Sequence, residues 1–285
     1  MSEEQIPACN ICNNRNIIFK FSKSGSKLLQ CSNCKLVFVF PKPTLKEQKD
    51  WYEKSYSDGV YKIFGDSTNL RYLVNEQRFQ DISHHNLTGN ILDIGTSTGI
   101  FLDVASKNGL STFGVEFSSE IVKKINPKHK IFNGGLEKAG YQNTFFDTVT
   151  MYDVLEHLTD PDLVIQEISR IIKPEGLLVI TTPDITSWHA KLMGKNWIAI
   201  HTIEHLYYFS PKSLKELLEK HGFTICEIRK DYKKFTLQGI IDMASFYSPL
   251  VFKLFSFFKP IIPKFLINRK KLCYFGDTFI IAKKL

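Results

Sequence analysis

Apolar and polar positions alternate in two distinct rhythms along the middle of the chain. Asn90-Ile-Leu-Asp-Ile94 is a short apolar run that stops at an acid and a turn, and Ile100 to Asn108 follows at amphipathic helical spacing. Ser111 to Phe117, Lys130 to Asn133 and Phe145 to Asp153 repeat the strand-like pattern. Pro161 to Ile172 is helical, with Leu163, Val164, Ile168, Ile171 and Ile172 apolar, and Lys173-Pro-Glu-Gly176 turns into a fifth strand, Leu177 to Thr182. Ser210 caps a helix that runs to His221 and stops at Gly222. Phe223 to Lys230 reads as a sixth strand and Gly276 to Ala282 as a seventh. Ahead of this block, Ile17 to Phe21 and Leu36 to Phe40 look like strands, and Leu45 to Ser83 is helical and aromatic, with Trp51, Tyr52, Tyr56, Tyr61 and Phe64.

The turn after Ile94 carries the first chemistry. Its glycines let the backbone approach a ligand closely, and the helix behind it offers unpaired N–H groups and a positive dipole end. That suits a nucleotide or a nucleotide-like molecule with an acidic group. The spacing is Gly95-x-x-x-Gly99, which is neither the G-x-G-x-x-G of a dinucleotide site nor a Walker loop ending in G-K-[ST]. With Asp93 two residues before the turn, the stretch resembles motif I of the class I S-adenosylmethionine-dependent methyltransferases, whose common form is D-x-G-x-G-x-G. The middle glycine is Ser97 here, so a side chain stands near the ligand's amino-acid end.

The companions of that motif strengthen the resemblance. Glu116 ends the second strand, 21 residues after Gly95. An acid about 20 residues past a glycine loop can accept hydrogen bonds from both ribose hydroxyls. Phe146-Asp-Thr-Val with Val154-Leu-Glu-His157 and Asp160-Pro161 resembles a block of small-molecule methyltransferases that include the ubiquinone-biosynthesis O-methyltransferases, and His205 to Ser210 resembles their H-x-x-x-F-S stretch. The resemblance covers residues 86–183. It implies an α/β, Rossmann-like, doubly wound seven-stranded sheet with the last strand antiparallel. It also implies S-adenosylmethionine held by Asp93, Gly95, Thr96, Gly99, Glu116 and Tyr152. An acid after the third strand binds adenine in many relatives. Gly135 takes that place, which leaves Leu136 packing or Glu137 as the candidates. Asp153, Glu156 and His157 match positions that bind a divalent metal in the ubiquinone group, and they equally fit a role in capping and orienting the loop. A helical segment before motif I covers the cofactor in relatives, which brings Tyr56 and Arg71 into view, either at the ligand or as aromatic packing and a surface cation. Methylation of a hydroxyl needs a base, and His157 and His205 are the candidates, since histidine accepts a proton near neutrality.

Cys9-Asn-Ile-Cys12 and Cys31-Ser-Asn-Cys34 change the picture at the N-terminus. Two Cys-x-x-Cys knuckles give a four-thiolate tetrahedral site, the preference of zinc, and a closed site of that kind is structural. The expected organisation is a zinc-ribbon-like module over 1–44, a helical lid or linker over 45–85 and a methyltransferase domain over 86–285 with a C-terminal helical insertion at about 236–272. Met1 to Gln5 is polar and acidic rather than an apolar signal, so the expected setting is a reducing cytoplasm, where metal binding outranks disulfides.

Charge and composition refine the partners. Residues 226–285 carry 12 Lys+Arg against 4 Asp+Glu, which is the whole net charge of +8, while the first 225 residues carry 25 of each. An electrically balanced core disfavours a long phosphate track, and the loop after strand four lacks the N/D-P-P-Y of enzymes that methylate base amino groups. Nucleic acid is therefore not the expected partner, although a ribbon and a pI of 9.0 keep an RNA methyltransferase as the rival enzyme. A catalytically silent S-adenosylmethionine-binding scaffold is the rival of another class. The expected acceptor is a small molecule or a glycan, free or lipid-linked. Phe246 to Leu266 is rich in Phe, interrupted by Lys253, Lys259 and Lys264, and followed by Arg269-Lys-Lys271. Pro260 and Pro263 forbid one straight spanning helix. The stretch fits either packing over the substrate pocket or peripheral membrane contact through 246–271.

Overall fold

The structure is a computed structural model. It describes residues 6–44, 46–48, 50–51, 68–239, 241, 253, 257, 263, 267 and 269–285. The N-terminal strands are β1 (Ile17–Lys23), β2 (Ser26–Cys31) and β3 (Val37–Phe40). Ser24 and Gly25, both at positive φ (50° and 81°), close the β1–β2 hairpin in the two-residue turn that matches strand twist. Then follow α1 (Thr68–Ser83), β4 (Asn90–Ile94), α2 (Ile100–Lys107), β5 (Ser111–Glu116), α3 (Ser119–Val122), β6 (Lys130–Asn133), β7 (Phe146–Tyr152) and α4 (Pro161–Ile171). The chain ends with β8 (Ile172–Pro183), α5 (Trp188–Met193), β9 (Tyr207–Tyr208), α6 (Pro211–Lys220), β10 (Phe223–Thr236) and β11 (Lys270–Lys284).

The larger sheet has seven strands in the order β10-β11-β8-β7-β4-β5-β6. β4, β5, β6, β7 and β8 pair in parallel, and β11 runs antiparallel to both β8 and β10. This is the expected doubly wound sheet with its last strand reversed. β4, β7 and β8 from Gly176 onward are buried almost throughout, polar positions included, as strands inside a sheet covered on both faces are. The chain goes β4, β5, β6 to one side and returns with β7 to the other, so the strand order reverses beside the carboxyl end of β4. Ligands bind in the crevice at such a reversal.

Three strand boundaries differ from the sequence expectation. β8 begins at Ile172, passing through the Lys173-Pro-Glu-Gly176 turn signal with a shift in register between Phe146 and Thr148 on its neighbour. β10 and β11 continue past the sheet as a two-stranded arm, from Tyr232↔Tyr274 to Thr236↔Lys270. The arm's residues are largely polar and basic, so no apolar run announces them. It follows that 236 and 270–272 are strand, and the insertion is confined to 237–269. Most of that insertion, like Tyr52, Tyr56, Tyr61 and Phe64 of the helical segment, lies outside the described residues. Among the described residues no helix is long and apolar enough to cross a membrane.

The smaller sheet is β1-β2-β3-β9. Its fourth strand comes from the far side of the chain, through Val37↔Tyr208 and Phe38↔Tyr207. Cys9, Ile11, Leu29, Cys31, Cys34, Leu36 and Phe38 share one buried core with Ile165, Leu206, Tyr207 and Leu214. The N-terminal ribbon is thus built into the larger domain's core.

Candidate active site

The loop after β4 has the backbone its residues require. Gly95 (φ 70°) and Gly99 (φ 76°) lie in the left-handed region, and a Cβ at Gly95 would sit 2.4 Å from Val154 Cγ2. Ser97, where the related motif has glycine, also takes a positive φ of 49°. The Gly95 and Thr96 N–H groups donate to the Val115 carbonyl at 2.8 and 3.2 Å, tying the loop to β5. Gly99 begins α2, so the helix's free amide end faces the crevice.

Glu116, at the end of β5, is clasped from two sides. The Ser97 N–H donates to Oε2 and the Ser118 N–H to Oε1, each at 2.9 Å. Burial raises its carboxyl above the ordinary value, against the pull of these amides. Asp93 lies beneath the loop, 4% exposed, and accepts the Thr150 hydroxyl at 2.7 Å. Burial pushes it up to about 6, opposed by the Thr150 bond and by the charge of Arg78. Arg71 reaches the loop from α1 and donates to Thr98 Oγ1 at 3.4 Å.

Leu136 opens a short 3-10 turn (Leu136–Lys138), and its side chain is buried in the core. The large apolar surface on this side belongs instead to Phe117, 83% exposed and next to Glu116. Asn133 Nδ2 fixes that corner by donating to the carbonyls of Glu116 (2.8 Å) and Phe117 (3.1 Å). The sequence did carry a signal for Phe117: an aromatic residue directly after the strand-end acid.

Tyr152 ends β7. Its ring meets Phe101 edge-on at 5.1 Å and lies under the Arg78 guanidinium at 4.5 Å. Arg78 also pairs with Asp153 at 2.5 Å, and Lys233 contacts both Asp153 (3.2 Å) and Asp277 (2.9 Å). Burial alone would raise the Asp153 carboxyl, but Lys233 and Arg78 outweigh it and hold the group ionised. Arg78 and Lys233 were not legible as site residues, because they meet Asp153 only through packing of α1 and β10 on the sheet. This network also removes Asp153 from the metal set that the resemblance implies: its oxygens are engaged by two cations and the Thr181 hydroxyl (2.9 Å).

Glu156 and His157, in the 3-10 turn Leu155–His157, meet His205 across the crevice. Their ligand-type atoms all lie within 4.8 Å of one another, and the two imidazole rings cross at 4.6 Å and 87°. Glu156 is 1% exposed and accepts the Thr182 hydroxyl at 2.9 Å. Burial raises its carboxyl well above the ordinary value. Burial lowers His157 to about 4 and holds His205 well below its ordinary value, so both rings are neutral at physiological pH. His205 Nδ1 lies 2.8 Å from the Ala199 carbonyl, which can only accept. That assigns the ring proton to Nδ1 and leaves Nε2 with its lone pair. The two histidines named from the sequence thus share one wall of the crevice.

The four cysteines converge as their spacing required. Sγ atoms of Cys9 and Cys34, and of Cys12 and Cys31, lie 3.5 Å apart, and all four fall within 4.8 Å. Sulfurs about 2.3 Å from a tetrahedral zinc are separated by roughly 3.8 Å, so the cage matches that ion. Both knuckles turn alike: Asn13 N–H donates to Cys9 O (2.9 Å) and Lys35 N–H to Cys31 O (3.2 Å), with Asn13 and Lys35 at positive φ.

Comparison with known proteins agrees with the fold. Residues 68–228 match a family described as a methyltransferase domain. The mitochondrial ubiquinone biosynthesis O-methyltransferase of Bos taurus is 27% identical over 201 residues, 61% of this chain and 53% of that protein. Ubiquinone biosynthesis O-methyltransferases of Bartonella tribocorum (25%, 48% of this chain, 61% of that protein) and Colwellia psychrerythraea (30%, 46% and 59%) are similar as well. The chain thus spans little more than half the length of these relatives. Among solved structures, a SAM-dependent methyltransferase of Thermotoga maritima superposes with a TM-score of 0.52 at 20% identity, covering 84% of this chain and 98% of that one. A Pyrococcus horikoshii protein does so at 0.53 and 14%, covering 82% and 99%. These two likenesses concern the fold.

Proposed function

The chain belongs to the methyltransferase-domain family, and on that premise we propose that it transfers a methyl group from S-adenosylmethionine to an oxygen of a small polar acceptor, such as a sugar or a lipid-carried group. The observation that carries this reading is the placing, at the carboxyl ends of the parallel strands, of an amide-clasped carboxylate after β5 and a buried Glu-His-His cluster at the turn after β7. Glu116 has two lone-pair directions left after its amide bonds, matching two ribose hydroxyls. Phe117 offers a face for the adenine, and Tyr152 and Arg71 flank the amino-acid end. The bound cofactor supplies a methyl group already activated on a sulfonium, so the chain's task is alignment and proton removal. His205 Nε2 carries the free lone pair that takes the acceptor proton, its ring held by the bond from Nδ1 to Ala199, and because burial disfavours the imidazolium the proton moves as the methyl group does and not beforehand. Glu156 and His157 complete the wall beside His205. In the ribbon, Cys9, Cys12, Cys31 and Cys34 hold one structural zinc.

Calorimetric titration with S-adenosylhomocysteine tests the cofactor half. Losing a carboxylate that accepts two hydroxyl bonds costs about 1.5–3 kcal/mol, so Glu116→Ala is expected to bind at least about tenfold more weakly. Unchanged affinity would overturn the assignment. The acceptor half is tested by His205→Ala, which is expected to keep cofactor affinity and lose turnover.

A further inference from the structure

We infer that the four-cysteine ribbon is the positioning scaffold of the acceptor wall: it holds His205 and Glu156 in place through the backbone and leaves the cofactor side to stand by itself. The path is short. Val39 N–H, on β3 of the ribbon, donates to Leu206 O at 3.0 Å, and Leu206 N–H donates to Glu156 O at 2.8 Å. Leu206 follows His205 directly, so two consecutive hydrogen bonds join the ribbon to both halves of the wall. Beyond Leu206 the pairing continues as β3 with β9.

The segment that carries His205 has little structure of its own. Between β8 and α6 it holds only the six-residue α5, a 3-10 turn (Gly194–Asn196) and the two-residue β9. Helices and strands this short do not hold themselves in water. The ribbon supplies what is missing. Leu28, Val37 and Val39 pack against Ile185, Ala190, Trp197, Ile200 and Tyr208 in one buried cluster. Lys23 Nζ donates to Ile200 O at 2.7 Å, fixing the backbone just before His201. From the other side, the Ser210 hydroxyl and Lys212 Nζ donate to the carbonyls of Cys34 (3.3 Å) and Asn33 (2.8 Å), inside the second cysteine knuckle. The shape of that knuckle therefore sets the place of the chain that follows His205.

The cofactor loop is held differently. Gly95 and Thr96 bond to Val115, Ser97 to Glu116, and the Gly95 face closes on Val154. The hydrogen bonds belong to β4 and β5, and the packing of Gly95 on Val154 is the contact shared with the turn that carries Glu156. Opening the ribbon is thus expected to dismantle the acceptor wall selectively.

The part played by the metal in this scaffold rests on the zinc reading, whereas the backbone path does not, and the experiment separates the two. Metal content of the full chain is measured first, after reductive purification without chelator. Zinc is then withdrawn with a thiol-reactive mercurial and a chelator, and hydrogen exchange, diethyl pyrocarbonate labelling of His205 and S-adenosylhomocysteine affinity are recorded. Protection of the 199–209 and 155–158 backbone is expected to fall at least about tenfold, and His205 to become reactive, while 90–118 keeps its protection. S-adenosylhomocysteine affinity is expected to fall by less than the protection does, staying within about threefold, because the loop meets the wall's turn through the Gly95–Val154 contact while its hydrogen bonds run to β5. Val39→Pro removes the N–H that bonds Leu206 and leaves the cysteines in place. It is expected to reproduce the loss with metal content unchanged, whereas Val39→Thr, which keeps the N–H and the branched shape, is not. Absence of metal in the native chain would refute the zinc reading alone, and Val39→Pro then decides the scaffold. Full protection of 199–209 in Val39→Pro, or loss of S-adenosylhomocysteine binding together with it, overturns the inference.

Discussion

Asp93 keeps a carboxylate where burial opposes one. Its folded value of about 6 lies above the ordinary 3.8, so between those limits the folded chain binds the extra proton. The stabilisation it provides is full below pH 3.8 and is lost as pH rises through 6. At pH 8 the ionised group costs on the order of 3 kcal/mol, from about two units at 1.36 kcal/mol each. Asp93→Asn is therefore expected to melt higher than the parent at pH 8, with a smaller gain at pH 5, and to bind S-adenosylhomocysteine less well; calorimetric melting at the two pH values checks the sign. His157 runs the other way. Its value falls from 6.5 to about 4, so the unfolded chain takes the proton first and stability present above pH 6.5 is lost as pH falls through 4. His157→Gln is expected to flatten that acid limb in urea titrations at pH 7 and pH 5. The place of Glu116 at the end of β5, beside the glycine loop, was legible from its spacing and from the apolar run that it closes. Arg78 and Lys233 were not, because a charge pair between α1, β7 and β10 leaves no mark on local sequence.

At the scale of elements, local chemistry set most boundaries. Asp160 caps α4 by accepting from Asp162 and Leu163 N–H, and Ser210 caps α6 in a reciprocal box with Ser213. Ser210→Ala is expected to cost about 1–2 kcal/mol in chemical denaturation, since both the helix cap and the bond to Cys34 O go. The glycine loop is the tightest element. Gly95→Ala brings a Cβ to 2.4 Å from Val154 Cγ2 at a backbone angle that side chains resist. It is expected to abolish cofactor binding at micromolar concentrations. Val154→Ala in the same chain removes the clash but not the backbone strain, so calorimetry on the double variant should recover part of the affinity. Strand ends were the weak point of the sequence reading. β10 and β11 extend as an arm whose pairing is carried by backbone bonds between polar residues, and side-chain periodicity does not register that.

For the whole molecule, the main revision concerns the ribbon. The two Cys-x-x-Cys pairs set residues 1–44 apart in the sequence, yet β3 completes its sheet with β9 and shares a core with α4 and α6. Removing 1–44 would uncover Trp197, Tyr207 and Tyr208, all fully buried in the intact chain. A chain beginning at residue 45 is expected to aggregate or to lose cooperative melting, since an apolar patch of that kind is not tolerated on a monomer. Light scattering and a calorimetric scan of the truncated chain check this.

The family resemblance implied the parallel sheet with its reversed last strand, and by itself the sequence determined the alternation of strands and helices, the glycine loop with Asp93 and Glu116, and the spacing of the four cysteines. Each is written in local terms: apolar runs, turn residues, and ligand spacing over a few tens of positions. Tertiary structure alone decided that Asp153 faces Arg78 and Lys233, that Glu156, His157 and His205 form one wall, and that the ribbon props that wall. Those facts depend on which distant segments pack together, and packing is fixed by the burial of the whole chain at once.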